Sequence, residues 1–217
     1  MIGLPTGDLT EIAVLGAHCD DIAIGMGGTL LTLCRANRGL RVHALVLSGG
    51  GTDRESEERA ALDAFCPDAD LRITVHDLPD GRAPQYWERI KDALKAFRAS
   101  CDPDIVFATQ PLDAHQDHRA LAELVPTEFR DHLTLGYEIL KWETDTPVPN
   151  VYSPLNAAAA EEKVKLLHAH YPSQVGRDWF DDLSFLGLSR LRGVQCRSPH
   201  AEAFVAGKIV MSFGGGR

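Results

Sequence analysis

The segment IAVLGAHCDD, residues 12–21, decides the fold class and locates the chemistry. Its first part, residues 12–17, is a short apolar run, which is typical of a buried parallel strand. His18 and the adjacent carboxylates Asp20 and Asp21 follow that run. Two neighbouring anions repel each other and are costly to desolvate together, and a nearby cation would relieve both effects. Because imidazole and carboxylate are ordinary zinc ligands, the segment favours a metal site at the end of a strand.

Predicted strands and helices alternate downstream of this segment. Further strands are expected at 42–47, 71–75, 105–109 and 134–140. Apolar residues at helical spacing predict helices around 30–34, 61–65, 86–97 and 121–125, and Thr52 with Glu55 predicts a capping box at the second. Alternation of this kind predicts an α/β fold, a Rossmann-like, doubly wound and mostly parallel sheet with helices on both faces.

The last third of the chain has a weaker pattern. A helix is expected at about 157–168 and a strand at about 204–213, and this region is expected to act as a lid or cap over the sheet. No firm boundary interrupts the chain, so residues 1–217 are expected to form a single domain.

Composition excludes several classes of function. The net charge of −9 argues against nucleic-acid binding and against docking on anionic membranes. The five cysteines are odd in number, widely spaced and never form a CxxC pair, so no disulfide framework is expected. No stretch approaches the about 18–20 apolar residues that span a bilayer, and no signal peptide is evident. We therefore expect a cytoplasmic protein without stable membrane insertion, with a homo-oligomer left open.

A second polar cluster, DAHQDH at residues 113–118, follows the fourth predicted strand. His115 and His118 are three residues apart, a spacing that lets both face one side of a helical turn. In a doubly wound sheet the first and fourth strands can be neighbours, and ligands bind at the carboxyl ends of such strands. We therefore expect the two clusters to meet in one crevice. The alternative, an acidic helix cap and two surface histidines, explains one Asp and leaves the other residues unexplained.

The glycine-rich stretch GMGG, residues 25–28, does not indicate a dinucleotide site. It lacks the full GxGxxG pattern, and Asp20 and Asp21 stand where a pyrophosphate would need backbone N–H groups. Close packing at the start of a helix is the better interpretation.

The two clusters together resemble the motifs of the PIG-L/LmbE-like deacetylases. Residues 17–22 resemble that family's AHPDDE, residues 27–29 its GGT, and residues 115–118 its HxDH. Further similarities, in matching order, are Arg54 with Glu57, the turn at 78–81, Ser173-Gln174 preceded by His170, and residues 201–204. The departures are Cys19 in place of Pro and Ile22 in place of Glu.

The resemblance implies a role for each of six residues, and three more are candidates for binding substrate. The implied ligands of a Zn²⁺ ion, with Fe²⁺ as the alternative, are His18, Asp21 and His118. The implied catalytic residues are Asp20 as general base, His115 as an imidazolium that stabilises the oxyanion, and Asp117 as the group that orients and charges His115. The candidate substrate-binding residues are Arg54, Asp80 and Gln174. The alternatives are an ion pair with Glu57 or Glu58 for Arg54 and a turn before Gly81 for Asp80. Cys19 is a weaker candidate for a thiolate ligand.

The implied function is hydrolysis of an N-acetyl group on an amino sugar or related small-molecule glycoconjugate, including a nucleotide-linked sugar. One alternative is an amidase of another N-acyl or thiol-conjugate substrate on the same metal site. A second is a non-catalytic relative that binds a glycan. Trp142, Tyr152 and Trp179 are candidates for stacking on a sugar ring, although buried aromatic core is the commoner role.

Overall fold

The computed structural model describes residues 9–211, which build one seven-stranded sheet flanked by helices. The strands are β1 Glu11–Gly16, β2 Arg41–Val46, β3 Asp70–Val75, β4 Ile105–Thr109, β5 Leu133–Tyr137, β6 Val151–Leu155 and β7 His200–Ala206. The helices are α1 Asp21–Ala36, α2 Asp53–Phe65, α3 Trp87–Ser100, α4 Gln116–Glu128, α5 Ala157–His170 and α6 Asp182–Cys196, with a 3₁₀ turn at Ala83–Tyr86.

The strand order in the sheet is β3-β2-β1-β4-β5-β7-β6. The first five strands are parallel, whereas β7 runs antiparallel to both β5 and β6. The chain order of the strands reverses between β1 and β4, which pair directly. The carboxyl ends of these two strands therefore form the switch point at which α/β sheets bind ligands.

Helices cover both faces of the sheet, as the alternating pattern predicted. Successive residues of β1 point to opposite sides, so Ile12 and Val14 join one core whereas Ala13 and Leu15 join the other. The first core lies under α1, α2, α5 and α6, and the second lies under α3 and α4. Because both faces of β1 are buried, its sequence is a continuous apolar run and not an alternating one.

The C-terminal third does more than cap the sheet. Its strands β6 and β7 complete one edge of the sheet, and its helices α5 and α6 pack on one face. The strand expected at 204–213 is observed at His200–Ala206, and it ends where its last residue pairs with Leu135 of β5. Residues 207–211 are not strand, and the rest of the expected strand lies outside the described residues.

The glycine-rich stretch serves close packing, as the sequence indicated. A Cβ atom on Gly25 would lie 2.2 Å from the ring of Tyr137, and one on Gly28 would lie 2.5 Å from Leu155. The helix is kinked at Met26, where φ is −146°. Glu202 of β7 accepts hydrogen bonds there from the amides of Gly28 at 3.0 Å and Thr29 at 2.6 Å. The Glu202 carboxylate stabilises the kink in α1. The kink in turn allows the first turns of α1 to lie beside β1.

Candidate functional site

The two polar clusters meet in one cavity of about 700 Å³ at the carboxyl ends of β1 and β4. The cavity is lined by eight of the nine residues that the sequence singled out: His18, Asp20, Asp21, Arg54, Asp80, His115, His118 and Gln174. The ninth, Asp117, lies beside His18 and contacts its ring. The pairing of β1 with β4 is what brings together residues about one hundred positions apart.

Side-chain atoms of three of these residues lie close together. His18 Nδ1 lies 3.2 Å from His118 Nε2, which lies 3.3 Å from Asp21 Oδ1. His18 Nδ1 also lies 3.6 Å from the other carboxylate oxygen of Asp21, Oδ2. Ligand atoms around a tetrahedral zinc ion, with bonds of about 2.0–2.2 Å, are separated by about 3.3–3.6 Å. Two imidazoles and one carboxylate are ligand types that zinc and iron(II) accept, and the separations of 3.2 and 3.3 Å are close to this spacing.

Other polar atoms of the three side chains contact neighbouring backbone amides and carboxylates. Asp21 Oδ2 accepts hydrogen bonds from the backbone amides of Ala17 and His18, both at 2.9 Å. His18 Nε2 lies 3.1 Å from Asp117 Oδ2, and His118 Nδ1 lies 3.0 Å from Asp113 Oδ2. Partners of this kind fix the orientation of a metal-binding imidazole and raise its basicity.

The electrostatics of the cluster favour positive charge. Burial lowers the pKa of His118, but Asp21 and Asp113 outweigh it and raise that pKa to about 9. Burial likewise opposes the charged form of His18, yet hydrogen bonds to Asp117, Asp21 and Asp80 hold the pKa of His18 well above its usual value. A divalent cation would have to displace these protons, so binding of a metal here is expected to weaken in acid.

Asp20 stands beside the three clustered side chains in an unusual backbone conformation. Its φ of 116° lies in the left-handed region, where a residue with a side chain is uncommon. Its carboxylate contacts Arg54 Nη2 at 2.7 Å. Burial raises the pKa of Asp20 to about 6, although the positive charge of Arg54 lowers it. The carboxylate is therefore positioned to exchange a proton near neutral pH.

Arg54 connects Asp20 to other parts of the site. Its guanidinium also contacts Glu57 at 3.0 Å, the hydroxyl of Ser173 and the carbonyl oxygen of Cys19. From the sequence, Arg54 was predicted to bind substrate, and an ion pair with Glu57 or Glu58 was the alternative interpretation. The structure shows the ion pair with Glu57 and adds one with Asp20, while the arginine still lines the cavity.

Glu58 is a buried residue beside the site that sequence reasoning missed. Its Oε2 accepts hydrogen bonds from the amide of Asp20 at 2.8 Å and from the hydroxyl of Tyr171 at 2.7 Å. The side chain is fully buried, and this burial raises the pKa of Glu58 to about 8. Its burial was predictable, because Glu58 lies on the same face of α2 as Ala61, Leu62 and Phe65, but its contact with Asp20 was not.

The contacts of Asp117 and His115 differ from the pairing that was expected, and their catalytic roles stay predictions. The Asp117 carboxylate accepts hydrogen bonds from the amides of Gly81 at 2.8 Å and Ala83 at 3.0 Å, and it contacts His18 instead of His115. His115 caps α4, and its Nδ1 accepts the amide of Asp117 at 3.3 Å. Burial, together with His118 and His18, lowers the pKa of His115. These influences favour the neutral form of the ring, and the expected imidazolium stays a prediction.

The other candidates occupy the edge of the cavity. Asp80 Oδ1 lies 3.1 Å from His18 Nε2, and the Asp80 side chain is 77% exposed. Gln174 is buried and its Nε2 donates to Ser173 Oγ at 3.1 Å. The thiol of Cys19 donates to the carbonyl oxygen of Ser48 at 3.4 Å, and burial raises the pKa of Cys19. This hydrogen bond directs the thiol toward Ser48, and a role of Cys19 as a thiolate ligand stays a prediction.

Comparison with known proteins identifies relatives of the chain. A family model described as GlcNAc-PI de-N-acetylase, PIG-L, matches residues 13–128. Over 141 residues the chain is 31% identical to an uncharacterized deacetylase of Escherichia coli K12, YaiS, covering 58% of this chain and 72% of that protein.

Solved structures share the fold at lower sequence identity. The N,N'-diacetylchitobiose deacetylase of Pyrococcus horikoshii, complexed with its inhibitor MPG, has a TM-score of 0.72 at 21% identity, covering 93% of this chain and 85% of that chain. GalB of Pseudomonas putida KT2440, a 4-carboxy-2-hydroxymuconate hydratase, has a TM-score of 0.71 at 14% identity, covering 95% and 100%. Because a hydratase shares the fold, the reaction has to be argued from the site itself.

No helix within residues 9–211 is both long enough and apolar enough to cross a bilayer.

Proposed function

The chain belongs to the PIG-L family of de-N-acetylases, and on this basis we propose that it is a metal-dependent hydrolase of N-acetylated amino sugars or related glycoconjugates. The observation that carries the proposal is the convergence of His18 Nδ1, Asp21 Oδ1 and His118 Nε2, with neighbouring contacts of 3.2 and 3.3 Å. Three protein ligands leave a further position open, as catalytic metal sites require.

The metal would be held by His18, Asp21 and His118. When bound, a zinc or iron(II) ion lowers the pKa of a water molecule and polarises an amide carbonyl. Asp20 is the general base that accepts the proton of the attacking water, because its pKa of about 6 leaves it ionised at neutral pH. The same carboxyl then returns the proton to the leaving amine nitrogen.

His115 would stabilise the charge that develops on the amide oxygen. Its Nδ1 already accepts a backbone amide, so the proton on Nε2 is free to be donated to the oxyanion. The ring needs no positive charge for this role. A donor of this kind contributes about a hundredfold to a thousandfold to the rate.

Polar groups at the edge of the cavity would select a sugar. Asp80 and Gln174 offer a carboxylate and an amide that pair well with hydroxyl groups, and Arg54 adds a cation. The name of the Pyrococcus horikoshii relative states that it deacetylates N,N'-diacetylchitobiose, which supports an N-acetylated sugar as substrate. The net charge of −9 favours small molecules over nucleic acid as partners.

The test is acetate release by the zinc-loaded protein from N-acetylglucosamine, N,N'-diacetylchitobiose and a nucleotide-linked N-acetylglucosamine. Asp20→Asn is the matched inactive variant, because it keeps the size of the side chain and removes the base. Release by the unaltered protein and none by the variant supports the proposal. Equal release by both proteins would refute the assignment of Asp20, and no release from any sugar would refute the substrate class.

A further inference from the structure

Two tryptophans lie at the mouth of the cavity in loops that the catalytic proposal does not use. Trp179 lines the cavity, in the loop between α5 and α6. Trp142 follows the cavity-lining residue Lys141 in the loop after β5, and it is 61% exposed. The two indole rings are 6.0 Å apart and nearly perpendicular, at 78°. Together, Trp142 and Trp179 form an aromatic ledge continuous with the cavity.

The exposed ring is held in one orientation by the opposite loop. Trp142 Nε1 donates a hydrogen bond to Asp178 Oδ1 at 2.7 Å. The guanidinium of Arg177 lies 6.0 Å from the centre of the Trp142 ring, within the range of a cation–π contact. A ring that is fixed and yet exposed presents a flat apolar surface that binds a ligand with little loss of side-chain entropy.

The surroundings of the ledge match the chemistry of a pyranose ring. One face of such a ring carries C–H groups that pack on an indole, whereas its edge carries hydroxyls. Arg177, which lines the cavity, and Asp178, which holds Trp142, supply a donor and an acceptor next to the apolar surface. A small number of polar groups around an aromatic surface is typical of sites that bind small molecules.

We propose that the ledge of Trp142 and Trp179 is a subsite for the sugar ring next to the N-acetylated ring. The substrate is then at least a disaccharide or a comparable conjugate, with the acetamide at the metal-binding cluster and the neighbouring ring on Trp142. This inference rests on the proposed function for the placement of the acetamide.

The test compares a monosaccharide with a disaccharide. For Trp142→Ala, the kcat/KM for N,N'-diacetylchitobiose is expected to fall about tenfold, whereas the kcat/KM for N-acetylglucosamine changes less than twofold. Trp142→Phe is expected to recover part of the loss. Trp87→Ala is the matched control, because Trp87 is 37% exposed and lies outside the cavity lining.

A binding experiment separates failure of the subsite from failure of the proposed function. Calorimetry on Asp20→Asn, with and without Trp142→Ala, measures the affinity for both sugars without turnover. Tighter binding of the disaccharide that is lost with Trp142 supports the ledge even if no acetate is ever released. Equal losses for both sugars, or an unchanged disaccharide affinity, would overturn the subsite alone. No binding of either sugar would overturn the proposed function and the subsite together.

Discussion

The backbone amide of Asp20 donates a 2.8 Å hydrogen bond to Oε2 of Glu58 on α2. The same oxygen accepts the hydroxyl of Tyr171 at 2.7 Å, so one buried carboxyl joins α2, the end of α5 and the turn before α1. The hydrogen bond from the Asp20 amide to Glu58 stabilises the left-handed conformation of Asp20, where φ is 116°. Ile22 is buried in the apolar core at the position where the family motif has a glutamate. Glu58 is therefore a carboxyl that braces this turn from another element.

Removal of the Glu58 carboxyl is expected to lower turnover without removing the metal. Glu58→Leu leaves the Asp20 amide without its partner, and one unsatisfied buried donor costs about 1–3 kcal/mol. We expect kcat to fall at least tenfold with metal content unchanged. Glu58→Gln keeps a carbonyl acceptor and should retain most activity. Equal activity of the leucine and glutamine variants would show that the hydrogen bond does not position Asp20.

The raised pKa of Glu58 also predicts how the free energy of unfolding depends on pH. Its pKa is about 8 in the folded chain, against an ordinary value of 4.5. Below pH 4.5 both states hold the proton, so the favourable contribution of the neutral carboxyl is complete. Between about pH 4.5 and 8 only the unfolded state releases it, and stability falls by up to about 1.4 kcal/mol per pH unit. Relative to the unaltered protein, Glu58→Gln should gain stability from pH 5 to pH 8 in urea unfolding. A difference independent of pH would contradict the neutral carboxyl.

Asp20 should control the acidic limb of the pH profile. Its pKa of about 6 means that the base is protonated and inactive below that pH. We expect kcat to rise as the pH increases through about 6, and Asp20→Asn to lose nearly all turnover while it keeps the metal. The profile is measured by acetate release at saturating substrate. A rate that is flat from pH 5 to pH 8 would assign the proton transfer to another group.

His115 should contribute to the rate and not to metal content. His115→Ala removes the proposed oxyanion donor, so kcat is expected to fall by about a hundredfold to a thousandfold. Metal content, measured by mass spectrometry of the purified protein, should stay near that of the unaltered chain. Loss of metal with little change in the rate per bound ion would make His115 a ligand.

Local sequence patterns were sufficient to predict the first four parallel strands, β1 to β4. β4 was predicted at its observed bounds, and strands 1 to 3 were predicted within one residue at each end. The antiparallel strands were harder to predict, because β6 and β7 depend on pairing with β5 and with each other. The predicted fifth strand ran too far, since Glu138 leaves the sheet to pair with Arg192 of α6 at 2.6 and 2.7 Å.

The site was predictable to the extent that motif and strand order determine it. The clusters at residues 18–21 and 113–118 meet because β1 and β4 are neighbours. The partner of each side chain was not predictable, since it depends on the path of distant loops. Asp117 faces His18 because the turn at Gly81 holds its carboxylate there. Glu58 reaches Asp20 through the packing of α2, which no local pattern specifies.

The most direct test is the metal content of the protein measured together with acetate release. We expect about one zinc or iron ion per chain, activity that a chelator removes, and loss of both in His118→Ala. His168→Ala, which removes an imidazole outside the cavity, should keep both. A His118→Ala protein with full metal content, or acetate release by protein that holds no metal, would contradict the account.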